Sequence, residues 1–376
     1  MRNADRANSI SDDRPGRHAE VAAGLRRLSD DELRELLTRS AALGVGIGGV
    51  HSVIEIRGIP VFVKRIPLTS VELRPGNYLS TRNLFDLPLG CQYGVGSPGF
   101  GVWREVAANR IATRLVRSGE LGAFASCYHW RTLDGPPSDG PAWSGFADID
   151  AFVDYWHGSP GIRSRVVEIA AAPAHVALFL EYIPMTLPSW LADRTRQGET
   201  AASAAIDFVE RRLLKDVFAM NAAGLFHFDA HFDNVLTDGN QIYFADLGLS
   251  TSTTFELSEP ETEFLHRNAS HDVCHTITRL VDWLVTRFVG TGDHVARDNY
   301  IASITPHTHA PAGINASAWR VITRYAPVAT VVNTFYSQLH GGDRTTPYPT
   351  ALALEACEKA HLETPGPGSR IPPGQT

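Results

Sequence analysis

The spacing of apolar positions changes several times along the chain, and each change marks an element. Ser29, Asp30, Asp31 and Glu32 form a capping-box pattern ahead of Leu33, Leu36 and Leu37, which predicts a short helix over 30–42. Two alternating runs, 53–56 and 61–64, flank the turn Arg57-Gly58 and predict paired strands. After an irregular stretch over 69–100, the residues 102–115 carry a helical period with one apolar face. A second Gly- and Pro-rich stretch over 133–161 holds a short helix near 149–156, and the runs 164–169 and 175–180 read as another strand pair. Beyond Pro184 the period becomes helical: a short helix over 187–196, then a long one over 202–223 with Ile206, Val209, Leu213 and Val217 on its apolar side. Gly224 ends that helix, and Asp238-Gly239 marks a hairpin turn before a strand at 241–245. A strongly apolar helix follows over 272–288, and 316–340 supplies one or two more. Strands gathered early and helices late make an α+β fold.

Composition narrows the class. The chain has 376 residues, enough for two cores, and its 43% hydrophobic and 20% charged content is that of a soluble enzyme. A net charge of −7 argues against a nucleic-acid binder held by general phosphate attraction. Cys91, Cys127, Cys274 and Cys357 contain no CxxC pair, so neither a disulfide framework nor a zinc ribbon is signalled. No basic start leads into an apolar run, and no run approaches membrane-spanning length, so a cytoplasmic protein with no membrane partner is expected. Residues 1–28 read as a mobile tail and 365–376 as a frayed one.

The chemistry concentrates in 226–248. Asp229, Asn234 and Asp246 bring two carboxylates and an amide to a hairpin, and the strand at 241–245 returns Asp246 to the neighbourhood of Asn234. Two such oxygen ligands suit Mg²⁺, which keeps some of its waters and shares its coordination with substrate phosphates; Asp229 is then left to orient a hydroxyl. A solvated loop between two strands is the plain alternative. A metal-dependent hydrolase is another, because His227, Asp229, His231 and Asp233 alternate as strand ligands would, with His266, His271 or His275 as further donors. Upstream, Gly44, Gly46 and Gly49 precede a strand pair whose second member carries Lys64, an order suited to backbone N–H groups and a lysine meeting phosphate oxygens. Gly94, Gly96 and Gly99 repeat the glycine spacing, but Pro98 and the lack of a preceding strand remove them as a dinucleotide fingerprint.

His227-x-Asp229-x-x-x-x-Asn234, followed by Asp246-Leu247-Gly248, resembles the catalytic and metal loops of the protein kinase-like superfamily. The resemblance covers roughly two thirds of the chain, from Leu43 to Phe288. It implies a bilobal fold: an N-lobe over 29–183, with a small antiparallel sheet, one helix and two insertions, and a larger, mainly helical C-lobe over 184–364. It implies ATP and Mg²⁺ as cofactors, Lys64 paired with a helical Glu105 beside the phosphates, and Asn234 and Asp246 on the metal. Asp229 is then the catalytic residue that positions the acceptor hydroxyl, Glu181, Tyr182 and Ile183 form a hinge whose backbone meets the adenine edge, and His227 and Gly248 give structural support. Phe228 stands where protein kinases usually have arginine, and Ala230-His231 replaces their leucine-lysine pair. The pattern His227-x-Asp229-x-His231-x-x-Asn234 is more similar to antibiotic, choline and other small-molecule kinases and to atypical bacterial members, and no Ala-Pro-Glu follows Asp246, which leaves little room for a segment that cradles a peptide. The acceptor, a protein, peptide or small-molecule hydroxyl, stays open, as does a catalytically silent kinase-fold binding module.

Overall fold

The computed structural model describes residues 13–46, 49–137 and 148–362, and the frayed tail expected at 365–376 lies outside them. The fold is mixed α+β, with a small antiparallel sheet and many helices. The chain divides into two units: Met1–Ile183 together with Leu247–Ser250, and Pro184–Asp246 together with Thr251–Thr376.

The first unit is built on a five-stranded antiparallel sheet. Its strands are β1 (Ala41–Gly46), β2 (Gly49–Ile56), β3 (Ile59–Leu68), β4 (Cys127–Asp134) and β5 (Ala174–Glu181), in the order β1-β2-β3-β5-β4. β5 is buried at every position, as a central strand covered on both faces must be. Over one face lie α1 (Arg14–Arg27) and α2 (Asp30–Arg39), which pack Val21, Leu25, Leu33 and Leu37 on Ile54, Val61, Val63 and Phe179. The Ser29–Glu32 capping box is present as expected. The tail expected over 1–28 is thus corrected from Arg14 onward: Asp13 caps α1, Pro15 starts it, and its buried Val21 and Leu25 hold it on the sheet. Over the other face lies α4 (Val102–Ser118), whose Val102, Trp103 and Val106 meet Ile66, Leu68, Val176 and Leu178.

Between β3 and α4 the insertion begins with one helical turn, α3 (Ser70–Leu73). Its later part packs Phe85, Leu87 and Phe100 on α5 (Ile149–Tyr155) and α6 (Pro160–Ala170). That last helix overturns the strand expected over 164–169. Ser159 accepts a hydrogen bond from the Ile162 N–H, Pro160 sits in the first turn, and Ile162, Val166 and Ile169 recur at helical spacing. The β-branched pair Val166-Val167 carried the strand signal, but Val166 turns into the cluster and Val167 out to solvent. The partners of β5 are instead β3 and β4.

The second unit is mainly helical: α7 (Leu187–Arg196), α8 (Glu199–Ala222), α9 (Glu259–Arg267), α10 (His271–Phe288), α11 (His294–Ala302), α12 (Ala316–His340) and α13 (Thr350–Lys359). α10 is buried along most of its length and packs against α8 and α12. Cys274 on α10 and Cys357 on α13 bring their thiol sulfurs to 3.4 Å in this core. Short strands cross one end: β6 (Met185–Thr186), β8 (Val235–Thr237) and β9 (Ile242–Phe244) form one sheet, and β7 (Leu225–Phe226) pairs with β10 (Thr251–Ser252).

Candidate active site

In the first unit Lys64 lies on β3, opposite Leu178 of β5, while Glu105 lies in the first turn of α4. Lys64 Nζ and Glu105 Oε1 are 2.7 Å apart, and the two side chains are 3% and 5% exposed. A second carboxylate sets the helix that carries Glu105. Glu72 accepts from the Val102 N–H at 2.7 Å and from Thr69 at 2.6 Å, and its backbone carbonyl accepts from Trp103 Nε1 at 3.0 Å. Arg165 of α6 donates to the same carboxylate at 3.1 Å, with both side chains buried. The chain must approach Glu72 closely here. A Cβ on Gly101 would stand 2.8 Å from Glu72 Oε1, and its φ of +145° is open to glycine.

In the second unit the loop after β7 is fixed mainly by backbone contacts. Asp272, at the start of α10, spans two consecutive amides: His227 N–H donates to Oδ2 and Phe228 N–H to Oδ1, each at 2.7 Å. Asn221 Nδ2 donates a third bond at 2.8 Å. Burial would raise the Asp272 pKa, but the neighbouring His271, whose Nδ1 lies 3.6 Å away, together with His227 and Asn221, holds it below the ordinary carboxylate value. This grip holds Phe228 in the left-handed region, with φ 61°, and its ring stacks on His271 at 5.1 Å. The His227 ring braces the loop at both nitrogens: Nε2 lies 3.0 Å from the Ala245 carbonyl, and Nδ1 accepts from the Asp229 N–H at 3.3 Å. That pattern requires the neutral ring, and burial depresses its pKa.

Asp229 and Asn234 meet directly. Asn234 Nδ2 donates to the Asp229 carbonyl at 2.9 Å and to its Oδ2 at 3.2 Å, which turns the amide oxygen of Asn234 away from Asp229. The β8–β9 register places Val235 opposite Phe244, and the Ala245 N–H donates to the Asn234 carbonyl at 2.9 Å. Asn234 and Asp246 therefore flank the same end of one hairpin. Asp246 has φ 57°, the second non-glycine left-handed residue of this loop pair, a strain of about 1–3 kcal/mol that clusters at functional sites. His231 Nε2 lies 3.9 Å from Asp229 Oδ1, and burial keeps its pKa below the ordinary value, so it adds no full positive charge near neutral pH. The turn Leu247–Leu249, which carries Gly248, belongs to the first unit and packs there against α4, the helix of Glu105.

The other expected residues fall out differently. Gly44, Gly46 and Gly49 belong to a β1–β2 hairpin, with Gly46 opposite Gly49, and the tip that includes Gly48 lies outside the described residues. The expected free glycine loop is thus strand up to Gly46, because pairing with β2 satisfies its backbone. A Cβ on Gly49 would sit 2.2 Å from the Arg65 carbonyl, so the lack of a side chain there serves the β2–β3 approach. Glu181 ends β5 with its N–H already bonded to the Ser126 carbonyl at 2.8 Å, which removes that donor from the expected hinge. Its carboxylate is held by Arg14 at 2.5 Å and faces Arg17 at 3.7 Å. Tyr182 is 36% exposed and Ile183 is buried.

Asp272, Asn221, Glu72 and Arg165 were missed as positioning residues. Thr69 three residues before Glu72 was a capping-box signal in the sequence, but Asp272, Asn221 and Arg165 carry no local signature. Among the described residues no three His, Cys, Asp or Glu side chains form a metal-holding group, and both ring nitrogens of His227 are already engaged. Asn234 and Asp246 still offer hard oxygen donors, the chemistry that Mg²⁺ prefers. No protein-family model matches the chain, and no characterised protein matches it. Among the described residues no helix is long and apolar enough to cross a membrane.

Proposed function

We propose that this chain is an ATP- and Mg²⁺-dependent phosphotransferase with a bilobal, protein kinase-like fold, which transfers a γ-phosphoryl group to a hydroxyl acceptor. The observation that carries the reading is the buried Lys64–Glu105 pair at 2.7 Å. Taking two charges out of water is a poor source of stability, and an apolar pair of similar volume commonly does as well. A lysine held charged on a strand by a helical glutamate is instead suited to meeting phosphate oxygens.

Asn234 and Asp246 are the residues that would hold the metal, which when bound neutralises charge on the β- and γ-phosphates. Asp229 orients the acceptor hydroxyl and takes up its proton, and the amide of Asn234 fixes the carboxylate for that task. Phe228 in place of the usual arginine and the short connection from Asp246 to α10 favour a small acceptor or an atypical protein substrate over a peptide cradled by an activation segment.

The test is ATP turnover by the purified protein, with γ-labelled nucleotide and a panel of hydroxyl acceptors that includes the chain itself. Asp229→Ala should lower turnover by about 10²–10⁴-fold while the fold is kept. Equal rates in the two proteins would defeat the proposal. Asp246→Asn should remove the magnesium dependence of nucleotide binding; unchanged MgATP affinity would reject the metal assignment.

A further inference from the structure

On a stripe of α4 away from Glu105, Arg110, Arg114 and Arg117 recur at helical spacing. They line an open cavity of about 550 Å³ together with Arg26 of α1, His18 and His129. No carboxylate is among the lining residues described. Among the described residues none of these four arginines makes an ion pair or a hydrogen bond, although most other arginines of the first unit are paired. The acid that acts on His18 is Glu181, and it is committed to Arg14 and Arg17. Asp30 is likewise taken by Arg131. Four guanidinium groups thus crowd one concavity on a chain whose net charge is −7.

From this constellation we infer that the α1–α4–β4 cavity binds a small ligand carrying two or more linked phosphate groups. Guanidinium forks match phosphate oxygens two at a time, and several converging on one concavity call for several anionic groups. The volume lies within the range of small-molecule sites, and the meeting of Arg26 of α1 with the arginines of α4 around one concavity favours a compact anion over a nucleic-acid strand. Both histidines are uncharged near neutral pH. His129 is pushed down to about 4, first by burial and then by Arg131 and Arg26, and His18 is lowered chiefly by burial. His129 is therefore able to bond a ligand oxygen only through a ring N–H. Half-buried Trp130 completes the wall and offers an aromatic surface, so a nucleoside polyphosphate and inorganic polyphosphate share the chemistry required. This site uses none of the groups assigned to phosphoryl transfer.

The experiment is calorimetric titration of the full chain with inorganic tripolyphosphate in magnesium-free buffer, repeated with adenosine and guanosine triphosphates. One tripolyphosphate should bind per chain at this site, and the nucleotide titrations are made on Lys64→Met, so that binding beside Lys64 does not add to the count. Arg114→Gln/Arg117→Gln should weaken tripolyphosphate at least about tenfold, the loss expected for a charge-assisted bond. Arg163→Gln, whose residue pairs with Asp150 outside the cavity, should leave it unchanged. Tighter binding of a nucleoside triphosphate than of tripolyphosphate would identify a base as part of the ligand; equal or weaker binding would identify the phosphate chain as sufficient. Lys64→Met should keep the tripolyphosphate site that the arginine double variant loses. The inference is overturned if binding is no stronger than that of sulfate, if the double variant retains it, or if only long polyanions such as heparin bind. It is overturned equally if Lys64→Met abolishes binding that the arginine variant keeps, a result that would leave the phosphotransferase reading standing.

Discussion

Two buried carboxylates do the same work in the two units by different means. Glu72 fastens the N-terminus of α4, and with it Glu105, by accepting from the Val102 N–H. Asp272 fastens the loop of His227 and Asp229 by accepting from two successive N–H groups. Glu72 has a buried arginine, Arg165, as its counter-charge, whereas Asp272 relies on N–H donors and neighbouring histidines. A charge balanced by a permanent cation is insensitive to pH but costly to break. A charge balanced by backbone dipoles is set by loop geometry, and reports on it.

The largest effect is expected where the counter-charge is strongest. Glu72→Ala leaves Arg165 buried without an acid and the Val102 and Thr69 donors without an acceptor, and should cost about 3–5 kcal/mol in denaturant titration. Converting the pair together, as Glu72→Gln/Arg165→Met, should recover most of that loss, because the stranded charge is gone. If the double variant is no more stable than Glu72→Ala, the glutamate's worth lies in its amide bonds and the contrast with Asp272 disappears.

Asp272→Ala strands three donors but no full cation, so its cost should be smaller, roughly 3 kcal/mol. Its signature is local: the amides of His227 and Phe228 should lose exchange protection before the core of α10 does. Uniform loss across the second unit would mean that Asp272 supports the helix rather than the loop.

The contrast also explains what could be read from the chain. Asp229, Asn234 and Asp246 were legible because Asn234 and Asp246 flank one short hairpin and Asp229 lies five residues before Asn234, so local spacing places them near one another. Lys64 and Glu105 were legible as a strand residue and a helix residue, and their 2.7 Å contact follows from the packing of α4 on β3 and β5. Asp272 was hidden because its partners lie 44 and 45 positions away, and a carboxylate at a helix start has an ordinary local explanation. Arg14 was hidden for the opposite reason: its polar surroundings read as a tail, while the apolar stripe of Val21 and Leu25 that seats α1 begins further on. The run 164–169 shows the limit of a six-residue window, in which the helical recurrence of Ile162, Val166 and Ile169 is too short to outweigh two adjacent valines.

The smallest expected effect is the most discriminating. His227 is buried, bonded as a neutral ring, and its pKa is depressed below 6.5. When the loop opens the ring regains its ordinary pKa, so below about 6.5 the open state binds a proton that the closed state refuses. More protons in the open state means that closure is favoured as pH rises and is lost as pH falls below that value. The loss should reach at most about 1.4 kcal/mol for one pH unit, and it continues until the depressed pKa of the closed state is passed. The pKa of Asp272 is itself lowered, so its grip stays charged throughout this window and fails only under more acidic conditions. Glu72 counts no histidine among its bonded partners, so the Val102 amide should hold its protection over the same range. Hydrogen exchange at pH 7 and pH 5.5, corrected for intrinsic rates, reads both amide sets in one sample. Parallel loss at Val102, His227 and Phe228 would show that acid loosens the chain as a whole. Selective loss at His227 and Phe228 would show that the loop carrying Asp229 is held by a proton-sensitive brace, while the helix carrying Glu105 is not.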